Sequence, residues 1–353
     1  MLCNFYLGEG MTYKVQSSER TRSSSADHET KALLYLMNFR EDSDQIFYFV
    51  VDFFNDLTGM DRFAETLWDI QSKASKNNSP ALIGKELVTL FKNYLSELNF
   101  NIYILFLGGV STGVRKDETL DIFNISDINE KALNKLKKGL EKEALDKTYI
   151  NNLYVTDENI DLFLEKVLFV VDNKTPTEYV KAIIKEHEAI IPEEKILKAI
   201  FNEIRNKQSE LKNTFVEGVV IQTTDEVLQY CRHLTNSEIR LLTLNRIINR
   251  NPVERNNIPL SFVPIYSSWS PEKQKEMLDE CIQTLCKALF NKNAAAEFWS
   301  LFENIYSIIV KNPTYTIQEV YQSIDIQTRN ASPDFDAVSL KYFIANIKDG
   351  IQK

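Results

Sequence analysis

Two runs of aromatic and β-branched residues near the N-terminus constrain the fold of this 353-residue chain more than any other feature. The first, residues 45–54, is dense in Phe, Tyr, Ile and Val, which favours a mostly buried β-strand. It ends at residues 55–59, Asn-Asp-Leu-Thr-Gly, whose residue types favour a turn. The second run, residues 66–73, alternates apolar and polar residues, which predicts another strand. The segment therefore predicts a two-stranded hairpin.

Three polar side chains fall where this hairpin would bring them together. Asp56 follows the first strand, and Gln71 and Lys73 share one face of the second, because side chains alternate between faces with period two. Carboxylate and amide oxygens are hard ligands that suit Mg²⁺. A metal ion lowers the pKa of a bound water, and a lysine can orient that water or stabilise developing charge. This arrangement resembles the Gln variant of the PD-(D/E)xK nuclease motif.

The flanking segments agree with such a site. Residues 27–39 have helical periodicity, and residues 79–98 predict a strong amphipathic helix after the second strand. Residues 101–107 form a short apolar run that fits the inside of a mixed sheet. The competing interpretation of the motif is an edge strand whose solvent face happens to be polar.

Four segments carry a more specific resemblance: FNDLTG, LWDIQSKA, IGKELVTLFKNYLSEL and YILFLGG. Over about residues 12 to 115 the chain resembles the double-stranded DNA endonuclease domain of bacterial anti-phage systems. That domain is fused to a ligand-sensing SAVED domain in CBASS effectors and forms the nuclease subunit of Lamassu systems. Since no segment here resembles a SAVED domain, the Lamassu type is the closer likeness.

The resemblance implies a metal site and a catalytic lysine. Asp56 and Gln71 would hold a Mg²⁺ or Mn²⁺ ion, and Lys73 would act in catalysis. Glu29 lies where these nucleases often place a further acid, which makes it the third candidate metal ligand. Two more acids near the motif stay open as alternative ligands, Asp52 and Asp69.

The rest of the chain predicts mostly helix, since it contains only 10 Gly and 9 Pro to interrupt its elements. We predict an α/β (α+β) restriction-endonuclease-like nuclease domain with a mixed sheet over residues 12–125. A mostly α-helical assembly and regulatory domain follows over residues 126–353, with a possible sub-boundary near residues 250–268; residues 1–10 are predicted to be poorly integrated. The predicted helices are residues 127–146, 157–171, 175–190, 192–211, 224–231, 237–248, 270–290, 294–310, 317–323 and 334–353.

Charge and cysteine content narrow the possible functions. A net charge of −9 is unusual for a protein that binds DNA tightly on its own, because phosphate contacts rest on Lys and Arg. A basic groove must then be local, or DNA binding is weak until something changes. The four cysteines have neither metal-ligand nor disulfide spacing, and no secretory signal is recognisable, which predicts the cytoplasm. No apolar run is long enough to span a membrane.

Two classes of function follow from these observations. The first is a metal-dependent endonuclease that cuts double-stranded DNA as the effector of an anti-phage complex, and the intact Asp56, Gln71 and Lys73 set favours it. The resemblance implies that an SMC-like ATPase and a small accessory subunit hold it inactive. A concerted double-strand break requires two sites, which predicts an active homo-oligomer, a dimer or a tetramer. The second class is a non-catalytic scaffold on a nuclease fold, and an RNA nuclease is a further alternative.

Overall fold

A computed structural model describes residues 13–15, 23–185 and 187–351 of the protein, so the prediction for residues 1–10 lies outside the described part. The strands are β1 Tyr13–Lys14, β2 Tyr48–Val51, β3 Leu57–Met60, β4 Leu67–Lys73, β5 Phe100–Leu107, β6 Ile122–Phe123, β7 Val167–Val171, β8 Val220–Ile221 and β9 His233–Thr235. The helices are α1 Ser23–Asn38, α2 Pro80–Glu86, α3 Val88–Tyr94, α4 Glu130–Leu145, α5 Asp157–Leu164, α6 Pro176–Ile183, α7 Glu194–Leu211, α8 Asn236–Ile247, α9 Val263–Tyr266, α10 Pro271–Phe290, α11 Ala295–Lys311, α12 Ile317–Ser323, α13 Ile326–Ala331 and α14 Ala337–Ile351. Short 3-10 helices cover Ser43–Gln45, Ile125–Asp127, Asn152–Tyr154, Glu188–Ile190, Thr224–Tyr230 and Leu260–Phe262.

The described residues divide into two compact units. The first consists of the described part of Met1–Pro176 together with Ile204–Thr235, and the second of Thr177–Glu203 and the described part of Asn236–Lys353. The predicted nuclease and helical domains, which meet at residue 125, stay predictions, because a division by packing does not say where an activity resides. The first unit does continue beyond residue 125, since β7 and β9 pair within its sheet.

The first unit is built on a seven-stranded mixed sheet with strand order β6-β7-β5-β4-β3-β2-β9. Strands β2, β3 and β4 form an antiparallel meander, and β5 pairs in parallel with both β4 and β7. Helix α1 packs on β3 and β4, while α3 packs on β4 and β5. The central strands are buried almost throughout, as expected where helices cover a parallel sheet. The predicted α/β class with a mixed sheet is therefore confirmed.

The structure corrects the predicted hairpin, which is a three-stranded meander. Residues 57–59, part of the predicted turn, belong to β3, and the fully buried Leu57 and Met60 anchor this strand in the sheet. The turn lies earlier, because Asp52 has a positive φ of 51° and its backbone N–H donates to the carbonyl of Asp56 at 3.1 Å. Asp56 therefore comes just before a strand rather than after one.

Two predicted helices are also corrected. The helix predicted over residues 157–171 ends at Leu164, and β7 follows, because five consecutive apolar residues from Val167 to Val171 suit a buried parallel strand beside β5. The helix predicted over residues 79–98 is divided at Leu87 into α2 and α3.

Two glycines let α2 and α4 approach each other closely. A Cβ atom at Gly84 would lie 2.0 Å from the carbonyl oxygen of Leu136, and one at Gly139 would lie 2.3 Å from the carbonyl oxygen of Ala81. Only glycine fits such a contact, because any side chain would meet backbone atoms. The contact fixes α2, which is joined to α3 through Leu87 alone.

The second unit is helical, which confirms the predicted helical C-terminal region. Its core includes residues of α8, α10, α11 and α14. The aromatic side chains at helical spacing in α11 belong to this core, since Phe298, Trp299 and Phe302 are at most 2% exposed. No helix in the described part of the chain is long and apolar enough to cross a lipid bilayer.

Candidate functional site

The four site residues predicted from the sequence lie close together in the first unit. Glu29 is on α1, Asp56 is in the turn before β3, and Gln71 and Lys73 are on β4. Gln71 Nε2 donates a hydrogen bond to Asp56 Oδ2 at 2.9 Å. Glu29 and Lys73 lie near enough to Asp56 for their charges to shift its pKa. The structure thus brings the four together, while their roles as ligands or catalytic groups stay predictions.

Asp56 lies at the centre of this cluster and is half-buried. Its Oδ2 atom accepts hydrogen bonds from Gln71 Nε2 and from the backbone N–H of Ser72 at 2.8 Å. Within the described residues both of these bonds go to the same oxygen, and neither involves Oδ1. Burial raises the pKa of Asp56 to about 7, the Glu29 carboxylate adds to the rise, and Lys73 opposes it. The carboxylate is therefore short of positive charge, and a bound cation would stabilise its ionised form.

Gln71 is buried and is held at both ends of its amide. Its Oε1 atom accepts a hydrogen bond from Thr89 Oγ1 of α3 at 2.8 Å, while Nε2 faces Asp56. A hydroxyl group both donates and accepts, so rotating the amide by a half-turn would keep the bond to Thr89 and turn the oxygen towards Asp56. Nothing in the sequence pattern singles out Thr89. Its place in the helix that follows the Gln-x-Lys strand is the only local signal.

Lys73 ends β4 and pairs with an acid. Its Nζ atom lies 3.2 Å from Oε2 of Glu86, the last residue of α2, and the two side chains are 17% and 21% exposed. The pair holds the lysine beside the cluster, where its charge lowers the pKa of Asp56. Glu86 was not predicted as part of the site.

Glu29 is 6% exposed and has a partner from much later in the chain. Its Oε2 atom lies 2.5 Å from Nζ of Lys212, which comes directly after α7. A metal ion held by Glu29 would therefore have to replace an existing cationic partner. Lys212 is one of 41 Lys and Arg residues and has no motif around it, so the sequence offered no signal for its role.

Asp52, left open as a ligand, is matched by an arginine. Arg232 donates to the carbonyl oxygen of Asp52 through Nη1 at 2.7 Å and lies 3.4 Å from its Oδ2 through Nη2. Burial raises the pKa of Asp52, while the charges of Lys212 and Arg232 lower it. Asp52, like Glu29, therefore already has a cationic partner, and the pairing does not decide between these two acids as metal ligands.

Asp69, the other open candidate, is enclosed in a separate polar network. It is fully buried, and its oxygens accept hydrogen bonds from Thr58 Oγ1 at 3.2 Å and from Asn93 Nδ2 at 2.6 Å. Burial raises its pKa to about 7, although Asn93 and the charge of Lys92 oppose the rise. The bond from Asn93 links α3 to β4, so Asp69 supports the packing of that helix on the sheet. Because both of its oxygens already accept hydrogen bonds, Asp69 is a poor candidate for a metal ligand.

The cluster suits a hard divalent cation in the chemistry of its donors. Asp56 offers an oxygen and a destabilised charge, Glu29 a second carboxylate and Gln71 an amide. No group of three His, Cys, Asp or Glu side chains in residues 13–15, 23–185 and 187–351 is placed to hold a metal ion. The predicted set contains only two side chains of these types, Asp56 and Glu29, because its third ligand is the amide of Gln71.

The chain matches no protein-family model, no curated protein and no solved structure. What can be stated of its class comes from the fold and the cluster. It is a mixed α/β protein with a helical C-terminal region, and an acid, an amide and a lysine lie close together at the antiparallel meander of its sheet.

Proposed function

We propose that the protein is a metal-dependent endonuclease that cleaves double-stranded DNA. The observation that supports this most is the contact between Asp56 and Gln71, with Glu29 and Lys73 close enough to act on the same carboxylate. These residues come from three separate elements, α1, the turn before β3, and β4. A polar edge strand, the competing interpretation of the motif, does not account for them, because β4 is central in the sheet and Gln71 is buried.

The residues divide the chemistry between them. Mg²⁺ or Mn²⁺ bound to Asp56, Glu29 and Gln71 would lower the pKa of a water and neutralise charge on the phosphate. Lys73, held in place by Glu86, is suited to stabilise the negative charge that develops on the phosphate oxygens. Thr89 fixes the plane of the Gln71 amide from the other side.

The role in a larger complex belongs to the same proposal. The resemblance to the Lamassu nuclease subunit supports an effector that acts in the cytoplasm, held inactive by an SMC-like ATPase and a small accessory subunit. The second unit supports it too, because a helical unit with its own hydrophobic core offers a separate surface for partners. The active form would be a homo-oligomer that places two sites on opposite strands of the DNA.

Substitution of Lys73 with alanine tests the activity. We expect Lys73→Ala to lower the rate of cleavage of linear and circular duplex DNA in Mg²⁺ by about 100- to 1,000-fold, the usual cost of losing an electrostatic stabiliser. The fold should be kept, because Glu86 retains access to solvent. Lys137→Ala is the matched control, since Lys137 pairs with Asp161 in the same unit, away from the site.

Three results would decide among the function classes. Unchanged cleavage by Lys73→Ala would refute the assignment of this site. Cleavage of RNA but not of duplex DNA would favour the RNA nuclease. Absence of cleavage by the wild-type protein, alone and after release from co-expressed partners, would favour the non-catalytic scaffold.

A further inference from the structure

The ion pair between Lys212 and Glu29 lies inside the cluster assigned to the metal. Its two atoms, Nζ and Oε2, are 2.5 Å apart, and the side chains are 12% and 7% exposed. The same lysine is close enough to Asp56 to lower its pKa. The ammonium group of Lys212 therefore already occupies an oxygen of a carboxylate that is assigned to the metal.

Arg232 fixes the backbone that carries Lys212. Its Nε donates to the carbonyl of Leu211 and its Nη2 to that of Lys212, both at 3.1 Å, while Nη1 donates to Asp52 at 2.7 Å. The backbone of Arg232 is anchored in turn, because its carbonyl accepts a hydrogen bond from the N–H of Val51 at the end of β2. The guanidinium thus ties the end of α7 to the turn that leads to Asp56.

A seam of polar contacts between α1 and α7 brings Lys212 to Glu29. Arg205 pairs with Asp27 at 2.9 Å, and Thr30 donates to Gln208 at 2.9 Å. These contacts, together with the Arg232 bonds, hold Lys212 in one position, so little order is lost when it pairs with Glu29.

We infer that Lys212 is a built-in competitor of the metal ion, and that a divalent cation binds only when the lysine ammonium gives up the Glu29 carboxylate. This rests on the proposed function, because it takes Glu29 and Asp56 as the metal ligands. The physical reason is that a lysine and a metal ion seek the same carboxylate oxygens. A cation already 2.5 Å from one of those oxygens both occupies the position and repels a second cation. Lys212 therefore keeps metal affinity low, and partners or DNA that draw it away would raise that affinity.

Calorimetric titration of the full-length protein with Mn²⁺ tests the inference without measuring cleavage. Lys212→Gln removes the charge but leaves a hydrogen-bond donor for Glu29. Since a unit charge within a few ångströms typically shifts a carboxylate equilibrium by about 10-fold or more, we expect Lys212→Gln to bind Mn²⁺ at least about 10-fold more tightly than wild type. Lys212→Arg, which keeps the charge, should stay near the wild-type affinity.

Lys31→Gln is the matched control. Lys31 is also paired with a buried acid, at 2.7 Å from Asp172, and it lies on the same helix as Glu29, but its partner is outside the cluster. We expect its Mn²⁺ affinity to be unchanged. The shift of the melting temperature caused by Mn²⁺ gives a second measurement, which should be larger for Lys212→Gln than for wild type even where that variant is less stable.

The outcomes separate this inference from the proposed function. Equal or weaker Mn²⁺ binding by Lys212→Gln, with binding lost in Asp56→Asn, would overturn the inference and leave the nuclease proposal intact. Tighter binding by Lys212→Gln in a protein that cuts no DNA would support the inference and count against the nuclease. If neither wild type nor Lys212→Gln binds Mn²⁺, both are overturned.

Discussion

Replacing Gln71 with glutamate puts a second carboxylate where an amide now donates a hydrogen bond. Gln71 is 4% exposed, and its Nε2 lies 2.9 Å from Asp56 Oδ2, so the new oxygen would meet the existing carboxylate at close range. Losing a hydrogen bond to a charged group costs about 1.5 to 3 kcal/mol, and two carboxylates at such a distance resist ionising together. At pH 8 without metal we therefore expect the free energy of unfolding to fall by about 2 to 4 kcal/mol.

A divalent cation should reverse this loss. Two carboxylates are better ligands for Mg²⁺ than one carboxylate and an amide, and binding to the folded state alone stabilises it. Urea unfolding of Gln71→Glu at pH 8 should show a large loss of stability in EDTA and recovery of most of it in Mg²⁺, with DNA cleavage retained. At pH 5 the loss in EDTA should be smaller, because one of the two carboxyl groups keeps its proton.

Asn93→Asp provides the matched control. Asn93 donates to Asp69 at 2.6 Å, so this substitution also sets a carboxylate against a buried acid on the same face of β4, but outside the proposed metal site. It should lose stability in EDTA and gain none from Mg²⁺. Equal failure of Mg²⁺ to rescue Gln71→Glu and Asn93→Asp would refute the placement of a metal beside Gln71.

Two further predictions concern stability. Burial raises the pKa of Asp69 to about 7, so ionisation is disfavoured in the folded state and the free energy of unfolding should fall as pH rises from about 4 to about 7. Asp69→Asn should flatten this part of the pH dependence in urea unfolding between pH 4 and pH 8, and an unaltered slope would contradict the assignment. Gly84→Ala should lower the unfolding free energy by about 2 to 3 kcal/mol, because a Cβ 2.0 Å from the Leu136 carbonyl forces α2 away from α4. A melting temperature equal to that of the wild type would show that the two helices separate at no cost.

The core of the site could be predicted because its signals are local. Gln71 and Lys73 lie two positions apart on one strand, and the period of a strand alone puts them on one face. Asp56 is separated from them only by β3 and a short connection, and short connections place consecutive elements side by side. This holds even though the predicted hairpin was wrong, since an inserted strand still leaves Asp56 next to Gln71.

The errors in the predicted strands arose where burial prevailed over local preference. Residues 57–60 include turn-forming residues, but they pair with β2 on one side and with β4 on the other. Pairing and burial in the sheet therefore decide their conformation, and local preference does not. The predicted helix extends from α5 into Val167–Val171 because a short apolar run fits either a buried helix or a strand. The structure shows a strand, since these residues pair with β5.

Lys212 and Arg232 could not be predicted, because nothing near them in the sequence reports on Glu29 or Asp52. Their sequence separations from those acids are 183 and 180 residues. Pairing of this kind depends on how α7 and β9 return to the first unit, which local pattern does not determine. A buried acid such as Glu29 requires a cationic partner somewhere in the chain, but the sequence does not say which Lys or Arg supplies it.

The charges around the site bear on the conflict between a net charge of −9 and the proposed DNA substrate. The cluster contains four carboxylates and three cations, which leaves one formal negative charge: Glu29, Asp52, Asp56 and Glu86 against Lys73, Lys212 and Arg232. A divalent ion would turn that balance into one positive charge and would free Lys212 from Glu29. DNA phosphates would then meet a repulsive site without metal and an attractive one with it. We therefore expect the proposed binding of a metal ion and of DNA at this site to strengthen each other.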